Sequence, residues 1–209
     1  MITSFPQVDA HRFPAMAAYL SALPDGLDSY PDCQIKAVFL PSVLEDYPLR
    51  SVSVIDRLPA VLADWVRSPP PSSAWLPQVH FRCILRAILD QYFKGDEAAM
   101  VAWSYGAQKK LLGGPLYRVM FALLSPERVA QLAPQRWGHF HRGLSMHVDI
   151  HPRQVEGTLR YPPNIYRRFD HELSLAGIRA VIELAGGRDI RLEILETSPT
   201  QGRSRITWR

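Results

Sequence analysis

The chain has 209 residues, of which 47% are hydrophobic and 21% charged, and its formal net charge is +4. This composition is typical of a folded globular protein and excludes a largely disordered chain, a collagen-like fibre and a disulfide scaffold. The sequence contains no uncharged apolar stretch of about 18 residues and no secretory signal pattern. We therefore expect a cytoplasmic protein with no membrane span.

The basic residues are spread along the chain, and this pattern does not favour a nucleic-acid partner. The two cysteines, Cys33 and Cys83, stand outside any zinc-type or C-x-x-C spacing. Cys83 lies in an apolar run, which indicates a buried thiol.

The prolines are concentrated in the first part of the chain and interrupt its predicted elements. Residues 1–33 are predicted to form an extended Pro-rich arm, and helices are predicted over 34–46 and 54–67. A Pro- and Ser-rich run at 68–73 indicates an exposed loop.

The middle of the chain has the apolar spacing of helices. The strongest candidate is 77–93, with the next at 97–111 after a Gly-Asp break. A short helix is predicted from Pro115, and Ser125 followed by proline opens another that ends near Leu132.

The pattern changes after Gly143 to strict alternation of apolar and polar residues, which predicts a half-buried strand. Further elements are predicted as a strand at 155–161, a helix at 164–185, and strands at 189–196 and 203–208. The C-terminal part is therefore predicted to be β-β-α-β-β.

These elements predict an α+β fold, in which the helical N-terminal two-thirds packs on a four-stranded antiparallel sheet. We expect one domain over 34–209, with the helical layer at 34–135 and the β-β-α-β-β unit at 143–209.

Several local strings carry a family resemblance, and they are strongest from residue 114 onward. The strings are Pro77-Gln78-Val79, Leu116-Tyr117-Arg118, Ser125-Pro126-Glu127-Arg128, the run Trp137-Gly138-His139-Phe140-His141-Arg142-Gly143, and a last strand ending in Trp208. The chain resembles a family of bacterial proteins of about this length that is abundant in myxobacteria. That family is distantly similar to the superfamily of heme-NO-binding and 4-vinyl-reductase sensor domains.

The resemblance implies a helical layer against a four-stranded sheet, with an apolar pocket between them. Heme-NO-binding proteins hold heme through a helical histidine and a Tyr-x-Ser-x-Arg motif, and this motif is absent here. The cysteine-rich 4-vinyl-reductase relatives bind metal, whereas this chain has two cysteines. We therefore do not expect heme. His80, on the helix 77–93, is interpreted as a structural histidine, with heme ligation as the alternative.

One histidine cluster has the spacing of a metal site. His147, Asp149 and His151 project from the same face of a strand, at a separation at which two imidazoles can share one divalent ion. His139 and His141 could add ligands from the approach to the strand. A solvated strand face explains the same residues without a metal, and both interpretations stay open.

Aromatic residues on the helical apolar faces are the candidate ligand contacts. If a pocket exists between the helices 77–93 and 97–111 and the sheet, we expect it to be lined by Tyr92, Trp103, Tyr117 and Phe121.

These patterns favour a non-enzymatic regulatory domain that senses a small apolar molecule or binds a protein partner. The alternative is a metal-binding protein or metal-dependent enzyme built on His147, Asp149 and His151. A third interpretation is an oligomeric interaction module, in which an exposed sheet edge or an apolar face of the Pro-rich arm pairs with a second copy.

Overall fold

The computed structural model describes residues 8–112, 114 and 124–209, and the chain divides into two compact units. The first unit runs to Asp96 and includes Phe140–Gly143. The second comprises Glu97–His139 and Leu144–Arg209.

The first unit contains five of the α-helices in the described residues, one 3-10 helix and a small sheet. The helices are α1 (Pro14–Leu20), α2 (Phe39–Asp46), α3 (Val52–Ile55), α4 (Ala60–Arg67) and α5 (Gln78–Tyr92), with the 3-10 helix at Gly26–Asp28. Helix α1 lies within the segment 1–33 that the sequence suggests is an arm, and its Met16 and Tyr19 are buried. The division into an arm and one domain stays a prediction.

The sheet of the first unit was not predicted. It has the antiparallel order β2-β1-β3, from β1 (Gln34–Lys36), β2 (Trp75–Pro77) and β3 (His141–Arg142). The prediction of a helix over 34–46 is therefore wrong at its start, because the backbone of β1 pairs with two distant segments. Helix α2 begins only at Phe39.

The predicted helix 54–67 is divided into α3 and α4. Pro59 has an extended backbone (φ −50°, ψ 139°) and occupies the N-cap of α4. Proline disfavours helical geometry in the residue before it, so the chain leaves the helix at this point.

The second unit has the predicted β-β-α-β-β order. Its elements are α6 (Glu97–Leu112), α7 (Pro126–Phe140, whose last residue is assigned to the first unit), β4 (Ser145–His151), β5 (Gln154–Arg160), α8 (Arg168–Leu184), β6 (Arg191–Thr197) and β7 (Gln201–Thr207). The four strands form one antiparallel sheet in the order β4-β5-β7-β6. The α+β class and this sheet are confirmed.

Helices α7 and α8 cover one face of the four-stranded sheet. The buried cluster consists of Ala130, Val155, Leu175, Ile182, Ile206 and Trp208. Alternate residues of β4, Val148 and Ile150, pack against this cluster from the edge. The apolar half of the alternating pattern therefore faces the core, as expected for a sheet with one covered face.

Candidate functional site

Helix α5 carries a buried polar stripe that its apolar pattern did not predict. Gln78, Arg82, Arg86 and Asp90 are buried at intervals of four residues, a spacing that places them along one side of the helix. Buried charged groups are rare unless they have partners. The sequence offers one weak signal for this stripe, the Arg86 and Asp90 pair at i and i+4.

The partners of the stripe include helix α1. The carboxylate of Asp90 accepts hydrogen bonds from the backbone N–H groups of Ala15 at 3.1 Å and Met16 at 3.3 Å. The guanidinium of Arg86 lies over the Tyr19 ring, 3.9 Å from its centroid. Burial raises the pKa of Asp90, whereas the two N–H groups and Arg86 oppose this shift. Asp90 and Arg86 together therefore hold α1 on α5.

His80 is a half-buried histidine at the start of α5. Its ring lies 5.1 Å from the Trp65 ring of α4, centroid to centroid. Burial lowers the pKa of His80, against smaller opposing effects of a hydrogen bond to the Leu27 backbone and of Asp28. In the described residues, Nδ1 is buried and has no hydrogen-bond partner. His80 is therefore neutral near pH 7, and a neutral imidazole carries a lone pair on one of its two ring nitrogens.

His141 is a second neutral histidine in the first unit. It lies on β3 and its ring stacks on Phe39, with centroids 6.4 Å apart. Burial lowers the pKa of His141 to about 3, and the positive charge of Arg82 contributes to the shift. Protonation of this imidazole would place a second cation beside a buried guanidinium.

Clefts of the described residues include one in each unit, and both of these are lined mainly by polar side chains. A cleft of about 700 Å³ in the first unit is bordered by His11, Arg12 and Lys94, with the carboxylates of Asp9 and Asp90. A cleft of about 580 Å³ in the second unit lies at the Asp189 and Arg209 end of the sheet. Neither cleft is the apolar pocket that the sequence predicts, and that pocket stays a prediction.

Of the four predicted aromatic contacts, two belong to different units of the described residues. Tyr92 is 44% exposed, packs on Tyr47 and donates its hydroxyl hydrogen to the Pro48 carbonyl at 2.5 Å. Trp103 is half-buried on α6 in the second unit. Tyr117 and Phe121 lie outside the described residues. The role of these residues as ligand contacts stays a prediction.

His147, Asp149 and His151 share the exposed face of β4, as the alternation predicts. His147 Nε2 lies 3.1 Å from Asp149 Oδ1, and their side chains are 73% and 61% exposed. Across residues 8–112, 114 and 124–209, no three His, Cys, Asp or Glu side chains are grouped closely enough to hold a metal ion. The structure therefore brings two of the three residues into contact and assembles no metal site from them.

The same face of the sheet continues as a network of ion pairs. Asp149 lies opposite Glu156 on β5, and Glu156 lies opposite Arg205 on β7. Arg205 contacts Glu156 at 2.8 Å and Glu193 on β6 at 3.3 Å. This arrangement is typical of a hydrated, charged sheet face.

No protein-family profile and no curated protein matches the sequence, but solved structures match the fold. A Cs H-NOX variant containing 4-cyano-L-phenylalanine has a TM-score of 0.57 at 11% identity, covering 84% of this chain and 97% of that one. An oxygen-binding H-NOX domain related to soluble guanylate cyclases has a TM-score of 0.56 at 10% identity, covering 84% and 95%. An Fe(II) unliganded H-NOX variant from K. algicida has a TM-score of 0.53 at 11% identity, covering 84% and 97%. The chain has the H-NOX fold.

The H-NOX fold confirms the distant similarity to the heme-NO-binding superfamily and corrects one expectation about cofactors. The absence of a Tyr-x-Ser-x-Arg motif led us to expect no heme, and this conclusion is wrong. A further solved structure of similar fold, described by its heme redox potential and porphyrin distortion, has a TM-score of 0.53 at 11% identity, covering 83% of this chain and 99% of that one. A missing motif therefore does not exclude heme for a chain of this fold. None of the helices in the described part of the chain is both long and apolar enough to cross a bilayer.

Within this H-NOX fold, His80 fits the chemistry of an iron ligand. A histidine that binds a metal is neutral, and its other ring nitrogen usually donates to a carbonyl or carboxylate that fixes the tautomer. His80 is neutral near pH 7, it lies beside the Leu27 backbone, and its Nδ1 has no hydrogen-bond partner in the described residues. The interpretation of His80 as purely structural leaves this buried nitrogen unexplained.

Proposed function

We propose that this protein is a sensor domain for a small ligand, with heme as its cofactor and His80 as the nitrogen ligand of the iron. The observation that carries the proposal is the buried Nδ1 of His80, which has no hydrogen-bond partner in the described residues. The fold supports it, because the neighbours that share this fold include an oxygen-binding H-NOX domain. Heme, when bound, would supply a ferrous iron that can bind a diatomic gas.

The surroundings of His80 support its role as a positioned ligand. The Trp65 ring lies 5.1 Å from the imidazole, centroid to centroid, and limits its rotation. Burial keeps the ring neutral, because the charged form loses hydration inside the protein. A lone pair on one ring nitrogen is therefore available near pH 7 without prior loss of a proton.

Reconstitution with heme tests this proposal. We expect the purified protein to bind one equivalent of reduced heme, with a Soret band shifted from that of free heme, and to change its spectrum on addition of carbon monoxide. His80→Gly should weaken heme binding by at least roughly tenfold, since loss of a metal ligand or its support has effects of this size. Added imidazole should restore the spectrum of this variant.

His139→Gly is a control, because His139 is an exposed histidine of α7. It should bind heme as the unmodified protein does, and circular dichroism should show that both variants are folded. A folded protein without a shifted Soret band contradicts the heme proposal. Equal heme binding by the His80 variant contradicts the assignment of the ligand.

The ligand contacts of this sensor remain the aromatic residues that the sequence indicated, Tyr92, Trp103, Tyr117 and Phe121. The half-buried position of Trp103 is compatible with such a contact, whereas the hydroxyl of Tyr92 is engaged with Pro48. We therefore rank Trp103 before Tyr92 as a contact to be tested by substitution.

A further inference from the structure

The two edges of the four-stranded sheet differ in how they are protected against pairing with another chain. An open strand edge is a template for an additional strand, and proteins commonly protect it with charges, proline or a bulge. Strand β6 carries a bulge between Ile194 and Glu196, and its outward residues include Arg191 and Glu193. Strand β6 is therefore a protected edge.

Strand β4 is regular over its whole length. All seven residues from Ser145 to His151 pair in register with β5, without a bulge. The strand contains no proline, glycine or lysine, and within the described residues it forms a ladder with β5 alone. Its second edge thus has the regular geometry that an added strand requires.

The sequence of β4 is complementary to itself in the antiparallel direction. If two copies pair about Val148, His147 of each copy lies opposite Asp149 of the other. The dimer then contains two equivalent His147–Asp149 pairs between the strands. On the opposite face Met146 lies opposite Ile150, and Val148 lies opposite its own copy. Apolar residues therefore meet apolar residues, and a twofold axis relates the two strands.

The side chains that this pairing needs are accessible. His147 and Asp149 are 73% and 61% exposed, and within one strand they pair with each other at 3.1 Å, so a second copy would exchange this contact for two contacts between strands. Val148 and Ile150 are half-buried at the edge of the core cluster. Addition of a second strand would cover their open side, which favours association.

From these observations we infer that β4 is a homodimerisation edge, which joins two four-stranded sheets into one eight-stranded antiparallel sheet centred on Val148. The occupant of the edge is a second copy of this chain. A single strand pair buries less surface than a standard protein interface, so we expect a weak dimer whose population depends on protein concentration.

Charge exchange between positions 147 and 149 tests both the edge and its register. His147→Glu places an acid opposite Asp149 in a homodimer, and Asp149→Lys places a cation opposite His147. Each variant should weaken self-association by roughly tenfold, because two cross-strand pairs become unfavourable at once. An equimolar mixture of the two variants should associate again as a mixed dimer. In this dimer the introduced Glu at position 147 of one copy lies opposite the introduced Lys at position 149 of the other, and the second pair is the native Asp149 with His147.

Sedimentation velocity of the full chain between low micromolar and several hundred micromolar measures these equilibria. Glu193→Lys also reverses an acidic charge, but on the β6 edge, and should associate as the unmodified protein does. Circular dichroism should show the native spectrum for all variants, because the substituted side chains are exposed. A protein that stays monomeric over this range, variants that dimerise normally, or a mixture that fails to associate would each overturn the inference.

Discussion

Asp90 is the buried polar residue of α5 whose contacts to helix α1 are tested most directly by substitution. Its carboxylate accepts from the N–H groups of Ala15 and Met16 and faces Arg86 in a buried position. We predict that Asp90→Ala lowers the free energy of unfolding by about 2 kcal/mol, because it removes a helix cap and charge-assisted hydrogen bonds together. Urea denaturation followed by circular dichroism measures this change.

Asp64→Ala is the matched control for Asp90. Asp64 is also helical and also contacts an arginine, Arg67 at 3.3 Å, but its side chain is 73% exposed. Exposed ion pairs contribute little, so this variant should unfold almost as the unmodified protein does. Equal losses in the two variants would show that the contacts to α1 do not stabilise the fold.

The orientation or burial of some individual side chains could be predicted from the sequence, whereas that of others could not. The orientation of His147 and Asp149 followed from alternation, because side chains of a strand point to opposite faces in turn. Burial of Arg82 and Arg86 could not be predicted in this way, because arginine on a helix usually indicates the solvent side. Their burial depends on elements packed around α5 from distant parts of the sequence.

At the scale of elements, the backbone at Gly143 determines how the chain enters β4. Gly143 has φ +69°, and a Cβ there would lie 2.7 Å from the Asp32 carbonyl oxygen and 2.9 Å from Cys33 Cα. We predict that Gly143→Ala destabilises the protein by more than about 2 kcal/mol, because backbone strain and a backbone collision combine. Thermal unfolding monitored by circular dichroism detects a loss of this size.

Gly106→Ala should stabilise the protein, in contrast to Gly143→Ala. Gly106 lies inside helix α6, and a Cβ there meets nothing within 4 Å. Replacement of a helical glycine by alanine stabilises a protein by about 0.4–1 kcal/mol, because it restricts the unfolded chain. A stable Gly143→Ala variant, or an unstable Gly106→Ala variant, would contradict the backbone geometry at these positions.

The elements that the sequence predicted best are those formed by neighbouring residues. Strands β4 and β5 follow each other along the chain, so their alternation and the turn between them indicate the hairpin. Strands β1, β2 and β3 are two or three residues long and come from segments around 35, 76 and 141. Such short segments have no measurable period, and only the tertiary fold brings them together.

At the scale of the whole molecule, stability in acid depends on histidines that are neutral in the folded chain. The pKa of His80 is lowered by burial, and that of His141 is lowered to about 3. The unfolded chain binds a proton at each site near pH 6.5, whereas the folded chain resists it. The contribution of these two histidines to the free energy of unfolding is therefore fully present above about pH 6.5. It is lost progressively as the pH decreases from 6.5 towards 3.

His141→Phe isolates the larger of these contributions. Phenylalanine keeps an aromatic ring against Phe39 but cannot be protonated beside Arg82. Between about pH 7 and pH 5 the unmodified protein should lose up to about 2 kcal/mol more of its free energy of unfolding than this variant, since each pKa unit corresponds to about 1.4 kcal/mol. Urea titrations at several pH values give the two curves.

Phe39→Leu provides the control for lost ring packing, because it removes the partner of the imidazole but retains the titrating group. This variant should be less stable than the unmodified protein at every pH, with a parallel pH profile. Parallel profiles for His141→Phe and the unmodified protein would instead mean that His141 is protonated equally in the folded and unfolded chains. The acid sensitivity would then have to arise at other groups, of which His80 is the next to substitute.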